Sequence, residues 1–501
     1  MNFSQHAGRR ASRMHANPWL IFAVIGVGSF LGPLSGSIVN VALPTIGDYY
    51  HTDLQSVKWV VLVFLVVNTF LLPLAGKWGQ RFGGSRLYVL GFILYGLGSM
   101  LCGISAHFAL QELVLARVIQ AMGSALLFAT SGALVAKFIP PERRGLAFGL
   151  VGSIVAVALV TGPVLGGVIC ASWNWTWIFW VQLPVALLGV ISSLVLLPTD
   201  EHGEALEFPV ASSVAWVLLI GGLSLVGEAF SKGLWVEYLW LSIPLTALAF
   251  SGLIASERRG PPLFDYSMFR LPAFRMAAAG ALMLNLIFFT LLLFLPFYLQ
   301  VYLNLSQGQT GMILGISPLA TFAFGPAMGH LADRFGFRLP ILTGMALMTL
   351  GFLALSEGIT THALWPVAAS MALLGAGSGM FGGPNLAAMM GSVSPAQRPL
   401  AGSMGALTRN LGFMIGTSAG SIGLGLLLAH VGGHSLMLAA RTEELTPQSV
   451  PAAAFVYAFS HLALICAVLA FLGLLGNLRF PNRLPAAIAL HEEPEGAAAT
   501  A

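Results

Sequence analysis

Apolar residues in this chain do not alternate with polar ones; they run on, stop at a short polar break, and begin again. The runs cover 19–43, 57–75, 87–106, 112–135, 145–170, 176–197, 211–229, 238–255, 276–301, 310–331, 339–356, 364–390, 402–429 and 453–477. Most are near the ~20 residues that an α-helix needs to cross a bilayer, and they lack the ten-residue alternation of a membrane β-barrel. The first, from Trp19, is too long for the apolar part of a cleaved signal. The pattern predicts an all-α polytopic membrane protein with 14 transmembrane helices.

Composition agrees: 57% of the 501 residues are hydrophobic and 8% charged, against roughly a quarter charged in a soluble domain. The charges orient the chain. An even helix number puts both termini on one side, and the loops on that side hold nearly all of the 23 Lys and Arg, which marks it as cytosolic. Lys58, Lys232 and Arg441 fall on the other side; Arg117 and Arg409 fall inside helices. The net charge of +4 is thus a matter of topology and implies no nucleic-acid partner. The cysteines, Cys102, Cys170 and Cys466, stand in separate runs without CxxC spacing, so neither a metal site nor another cofactor is expected.

Two loops repeat. Gly76, Gln80, Arg81, Phe82 and Gly83 stand 253 positions before Gly329, Asp333, Arg334, Phe335 and Gly336, with only the Gln/Asp pair differing. Pro141, Arg144, Leu146 and Ala147 recur at 254 as Pro395, Arg398, Leu400 and Ala401. Helices 1–6 and 9–14 then read as two six-helix repeats with an inserted helix pair. The expected division is a segment 1–18, a first half 19–197, an insertion 198–275, a second half 276–477 and a tail 478–501. Duplicated halves are a common way to build a transporter with substrate held between them.

With these motifs the chain resembles the major facilitator superfamily, in its fourteen-span multidrug:proton antiporter branch. Gly329-His-Leu-Ala-Asp-Arg-Phe-Gly-Phe-Arg338 is similar to the family's inner-loop motif, and Arg117-Val-Ile-Gln120-Ala-Met-Gly123-Ser-Ala125 to its helix 4 motif. Gly149, Ala158, Gly162, Pro163, Gly166 and Gly167 resemble the antiporter motif of helix 5, with Ala158 in place of its middle glycine. Ser37-Ile-Val-Asn40-Val-Ala-Leu-Pro44 and Leu295-Pro-Phe-Tyr-Leu-Gln300 also resemble this branch. The resemblance implies an alternating-access exporter of small amphipathic or drug-like molecules in the cell inner membrane, driven by protons, with no cofactor. A periplasmic adaptor is left open. Two departures favour the alternative, a facilitator or lipid/solute transporter without proton coupling: Ser35 stands where the family carries an acid, and Gln80 where it carries Asp.

The residues themselves single out Arg117, because a charge at mid-membrane costs at least ~2.5–3.5 kcal/mol unless it meets water or a partner. Gln120, Ser124 and Ser131 continue its stripe at helical spacing, so the expected cavity wall comprises Arg117, Gln120 and Ser124 with Ser37, Asn40, Asn68, Asn285 and Asn385. An arginine pinned to a neighbouring carbonyl is the plainer alternative. For proton coupling the candidates are Glu112, tuned by Arg117, and then His461; Glu112 serves only if it is desolvated. Glu228 is the other acid in an apolar run, outside the repeats. Gating is expected from Gly76, Gln80, Arg81, Gly83, Gly329, Asp333, Arg334 and Gly336, from the bend at Gly162, Pro163, Gly166 and Gly167, and from Arg409, which should reach the loop near Gln80. Of the two inner loops, the one with Asp333 should make the ionic contact, since an acid at a helix N-terminus gains about 0.3–1 kcal/mol. Gly416-Thr-Ser418-Ala-Gly420 matches G-x-S-x-G but lies in a helix, not on a nucleophile elbow, and no Walker A sequence is present. No enzyme is expected.

Overall fold

The structure is a computed structural model, and it describes residues 17–52, 54–198, 208–231, 239–292, 295–432 and 452–483. The long helices are α1 (Pro18–Tyr50), α2 (Trp59–Phe82), α3 (Gly84–Ile104), α4 (Leu110–Phe138), α5 (Arg144–Ser172), α6 (Gln182–Leu196) and α7 (Val210–Ser231). After them come α8 (Leu239–Arg259), α9 (Pro272–Leu292), α10 (Gln307–Phe335), α11 (Arg338–Thr361), α12 (Leu364–Gly391), α13 (Arg398–Gly432) and α14 (Ala452–Asn477). Among the described residues, 12 helices are long and apolar enough to span a membrane. The described residues thus support twelve of the expected fourteen spans. The two outside the set are α7, whose described apolar stretch is Val210–Leu223, and α8, which ends on Glu257, Arg258 and Arg259.

Some boundaries move for local reasons. Helix α1 runs through Pro33 and Pro44 and stops only where His51 turns left-handed at φ 48° and its N–H bonds back to Asp48 and Gly47. The run predicted over 276–301 divides into α9 and a π turn at Tyr298–Tyr302.

Helices α1–α6 pack as one bundle and α9–α14 as another, through the same pairs. In the first, α3 lies on α4, α1 on α5, α2 on α4 and α3 on α6. In the second, α11 lies on α12, α9 on α13, α10 on α12 and α11 on α14. The bundles meet along two seams, α5 on α10 and α2 on α13. The α7–α8 pair is held at the side of α2: the Trp216 indole N–H donates to the Phe70 carbonyl (3.1 Å), and Trp78 stacks on Phe208. Beyond α14 the chain turns back, and the Phe337 N–H at the α10–α11 turn donates to the Asn482 carbonyl (3.1 Å).

Candidate functional site

Arg117 is fully buried in the first bundle. Its Nε donates to the Val60 carbonyl of α2 (3.0 Å), and its Nη1 to Ser35 Oγ of α1 (2.7 Å) and Gln120 Oε1 (2.6 Å). Gln120 Nε2 donates on to Ser99 Oγ of α3 (2.8 Å), and the guanidinium lies 4.2 Å from the Phe64 ring centre. Four helices are tied by this knot, and no carboxylate enters it: Ser35 supplies a neutral oxygen, and Nη2 has no partner among the described residues. A buried charge so placed depends on every hydrogen bond it makes. Arg117 and Gln120 thus occur as interior struts, with the arginine pinned to a carbonyl. Ser99, Val60 and Phe64 escaped the sequence because partners on neighbouring helices leave no spacing signal within one helix.

The other expected cavity residues divide. Ser124 is buried and accepts from Asn68 Nδ2 (2.9 Å), and Ser37 donates to the Leu34 and Ala158 carbonyls (3.1 and 3.3 Å). Asn385 Nδ2 donates to the Ala277 carbonyl (3.0 Å), which ties α12 to α9, while Asn285 bonds within its own helix to Ala281 (2.7 Å). Asn40 is exposed. Glu112 sits exposed in the first turn of α4, so the desolvation that proton carriage requires is missing. The His461 ring packs on Tyr457 at 3.9 Å and donates from Nδ1 to the Tyr457 carbonyl (2.7 Å). The side chain of Glu228 lies outside the described residues.

At the α5–α10 seam the Gly145 N–H donates to Asp333 Oδ1 (2.7 Å) and the Leu146 N–H to Oδ2 (2.9 Å). Both donors belong to the first turn of α5, where free N–H groups and the helix dipole favour an anion. The backbones cross so closely that a β-carbon on Gly329 would strike the Gly145 carbonyl, and one on Gly149 the Gly325 carbonyl. Ser153 Oγ extends the seam by donating to the Phe322 carbonyl (3.2 Å).

At the α2–α13 seam a β-carbon on Gly76 would strike the Ser403 hydroxyl, and one on Gly79 would sit 3.0 Å from the Pro399 ring. Gln80 Nε2 donates to the Ala396 carbonyl (3.0 Å), and its buried Oε1 has no partner among the described residues. Gly83 and Gly336 end α2 and α10 at φ 89° and 95°, values that favour glycine. Arg81 and Arg334, beside them, are exposed. In α5, Gly162 and Gly166 press on Ser37 and Ile38 of α1, whereas Pro163 is exposed and Gly167 has open space around it.

Arg409 does not reach Gln80. Its face of α13 is about 100° from the one that meets α2 through Ser403 and Asn410, and its guanidinium carbon lies 3.7 Å from the ring centre of Phe128 in α4. No hydrogen bond or ion pair reaches Arg409 from the described residues. Among those residues, no cluster of His, Cys, Asp and Glu is built to hold a metal.

The sequence model of the Major Facilitator Superfamily matches residues 25–302 and again 277–499. The chain belongs to that superfamily. Among curated superfamily relatives it is similar to the riboflavin transporter RibZ of Clostridioides difficile (strain 630), 29% identical over 412 residues that make up 80% of this chain and 87% of RibZ. It is also similar to the multidrug transporter protein MdtP of Bacillus subtilis (strain 168), 27% identical over 491 residues, 95% of this chain and 87% of MdtP. A solved structure of the proton:xylose symporter XylE bound to 6-bromo-6-deoxy-D-glucose shares the fold, with a TM-score of 0.59 and 15% identity over 93% of this chain and 96% of that one. As a superfamily member this is a multi-pass membrane transporter of small molecules.

Proposed function

We propose that this transporter is an alternating-access exporter of amphipathic, drug-like molecules in the inner membrane, with both termini in the cytosol and α7–α8 added as a further membrane pair to two duplicated six-helix halves. The observation that carries the reading is the pair of narrow seams. Glycine crossings and single polar contacts can part and re-form, as rocking of one bundle on the other requires. The named approaches across them fall in residues 69–80, 128–153, 322–333 and 383–414, toward the end that bears the basic loops. Export agrees with the multidrug name of MdtP and the topology with the charge of those loops.

Proton antiport is the expected drive, with His461 the remaining candidate once Glu112 is exposed. Ser35 in the Arg117 knot favours the second reading, transport without coupling. Purified full-length protein in proteoliposomes separates them: amphipathic aromatic probes of either charge should accumulate when a pH gradient is imposed and not when it is collapsed. Uptake that ignores the gradient supports an uncoupled facilitator, and no movement of any probe overturns the exporter. Single cysteines at Ser85 and Ser394 in a background lacking the native three should resist an impermeant thiol reagent outside intact cells; labelling there reverses the topology.

A further inference from the structure

Arg409 stands on the side of α13 that meets α4 of the other bundle, where its guanidinium carbon lies over Phe128. Gly402, seven residues earlier on nearly the same face, is packed so closely that its β-carbon would lie 2.9 Å from the Ala129 carbonyl of α4 and 3.1 Å from Met390 of α12. Gly132 of α4 presses on the same Met390. These contacts press α13, α4 and α12 together, and Arg409 lies about 10 Å further along α13. Phe128 lies against it, and Phe413, one turn further along α13, meets Phe289 of α9 with ring centres 4.8 Å apart.

The guanidinium carbon lies over the Phe128 ring, 3.7 Å from its centre, and its N–H donors make no hydrogen bond to the described residues. No acid among the described residues pairs with it, and Asp48 and Glu142 are exposed. Both oxygens of Asp333 are taken by the N-terminus of α5, and Glu112 and Glu357 are exposed. Arg117, the other interior arginine, is bound within its own knot. A cation so placed, without an acid of its own among the described residues, attracts an anion that arrives from outside, and a planar fork suits a carboxylate, sulfonate or phosphate.

We infer that Arg409 and Phe128 form the anchor for an organic anion with an aromatic body, the ring resting against the phenylalanines and the acidic group on the guanidinium. This rests on the transport reading and narrows its substrate class. The test is equilibrium binding to the purified full-length protein in dodecylmaltoside without phospholipid and without a pH gradient, so that it stands apart from export. Three probes share one ring system: naphthoate, its methyl ester and naphthylmethylammonium. Naphthoate should bind at least about tenfold tighter than the other two. Arg409→Gln should erase that preference, Arg409→Lys should keep part of it, and Phe128→Ala should weaken all three. The proposal is overturned if the ester or the ammonium binds as well as the anion, if none binds, or if the preference survives Arg409→Gln. Displacement of naphthoate by added phosphatidylglycerol overturns it too, assigning the arginine to a lipid headgroup. Uptake without anion preference leaves the exporter standing and removes the anchor; anion binding without uptake does the reverse.

Discussion

The α5–α10 seam and the α2–α13 seam occupy corresponding places in the packing, yet they are closed by different chemistry. In the first, a carboxylate accepts two N–H bonds from the opening turn of α5. In the second, a neutral amide gives one bond to the Ala396 carbonyl and leaves its oxygen unpaired among the described residues. The difference does not end with Asp333 against Gln80. Gly145 and Leu146, the donors to Asp333, correspond at the 254 offset to Pro399 and Leu400. Proline has no N–H. An acid at position 80 would therefore find one donor where Asp333 finds two, and the loss of the acid and the loss of the donor belong together. What this teaches is that a repeated motif can keep its glycines and its arginine while the bond it once served is gone from one copy.

The sharpest way to break the comparison is to thicken the crossings. Gly329→Val should reduce proteoliposome transport to background, because its side chain meets a backbone carbonyl that cannot turn aside; Gly76→Val meets first the Ser403 hydroxyl, which can rotate, and should leave partial activity. Next comes the acid. Asparagine at 333 keeps one acceptor and loses the charge, which removes about 1–2 kcal/mol and should slow transport roughly tenfold, whereas Gln80→Ala should change the initial rate less than about twofold. Equal losses in the pair would dissolve the asymmetry. A gain comes third. Gln80→Asp alone should leave the melting temperature where it is, and Gln80→Asp with Pro399→Gly should raise it by about 2 °C above Pro399→Gly; a rise with the single change would show that the proline does not matter.

The smallest effect lies at the edge of the second seam, where Gln397 Nε2 donates to Asp265 Oδ2 (2.6 Å) in the linker after α8. Burial pushes the Asp265 carboxyl up, but hydrogen bonds from Ser267 and Gln397 and the charge of Lys77 outweigh it and hold the group below its usual range. A carboxyl that is more acidic folded than unfolded contributes stability above its unfolded value, near pH ~4, and loses it as pH falls through the folded one. Wild-type thermal stability should therefore drop more steeply below about pH 4 than that of Asp265→Asn, and parallel curves would show that the contact carries nothing.

The helices were legible because a bilayer demands long apolar runs, and the seams because Gly76 and Gly329 stand in visibly repeated loops. The count of spans was less so: α7 and α8 read as apolar runs, but their described apolar lengths fall short. The Asp333 contact could be expected from an acid beside a helix start. Arg117 announced itself as a buried charge, yet its partners Val60, Ser35 and Ser99 lie on three other helices, and one of them is a main-chain oxygen that no side chain advertises. Glu112 was expected to serve only if desolvated, and composition could not show that the first turn of α4 leaves it exposed. For Arg409, counting turns fixes its depth in α13 but not which neighbour its face meets, and that neighbour is Phe128 of α4.

The crossing of α5 and α10 brings main chain against main chain, with glycines at 145, 149, 325 and 329 and the side chains of Asp333 and Ser153 as its polar contacts. A hinge of that kind is indifferent to cargo. Residues that line the path between the bundles can drift through many substitutions, and so acquire new ligands, without retuning the closure, while nearly any change at the four glycines ends it. On the proposed mechanism, closure and recognition would then be separable: one seam would fix the motion while the ligand-facing residues set the cargo.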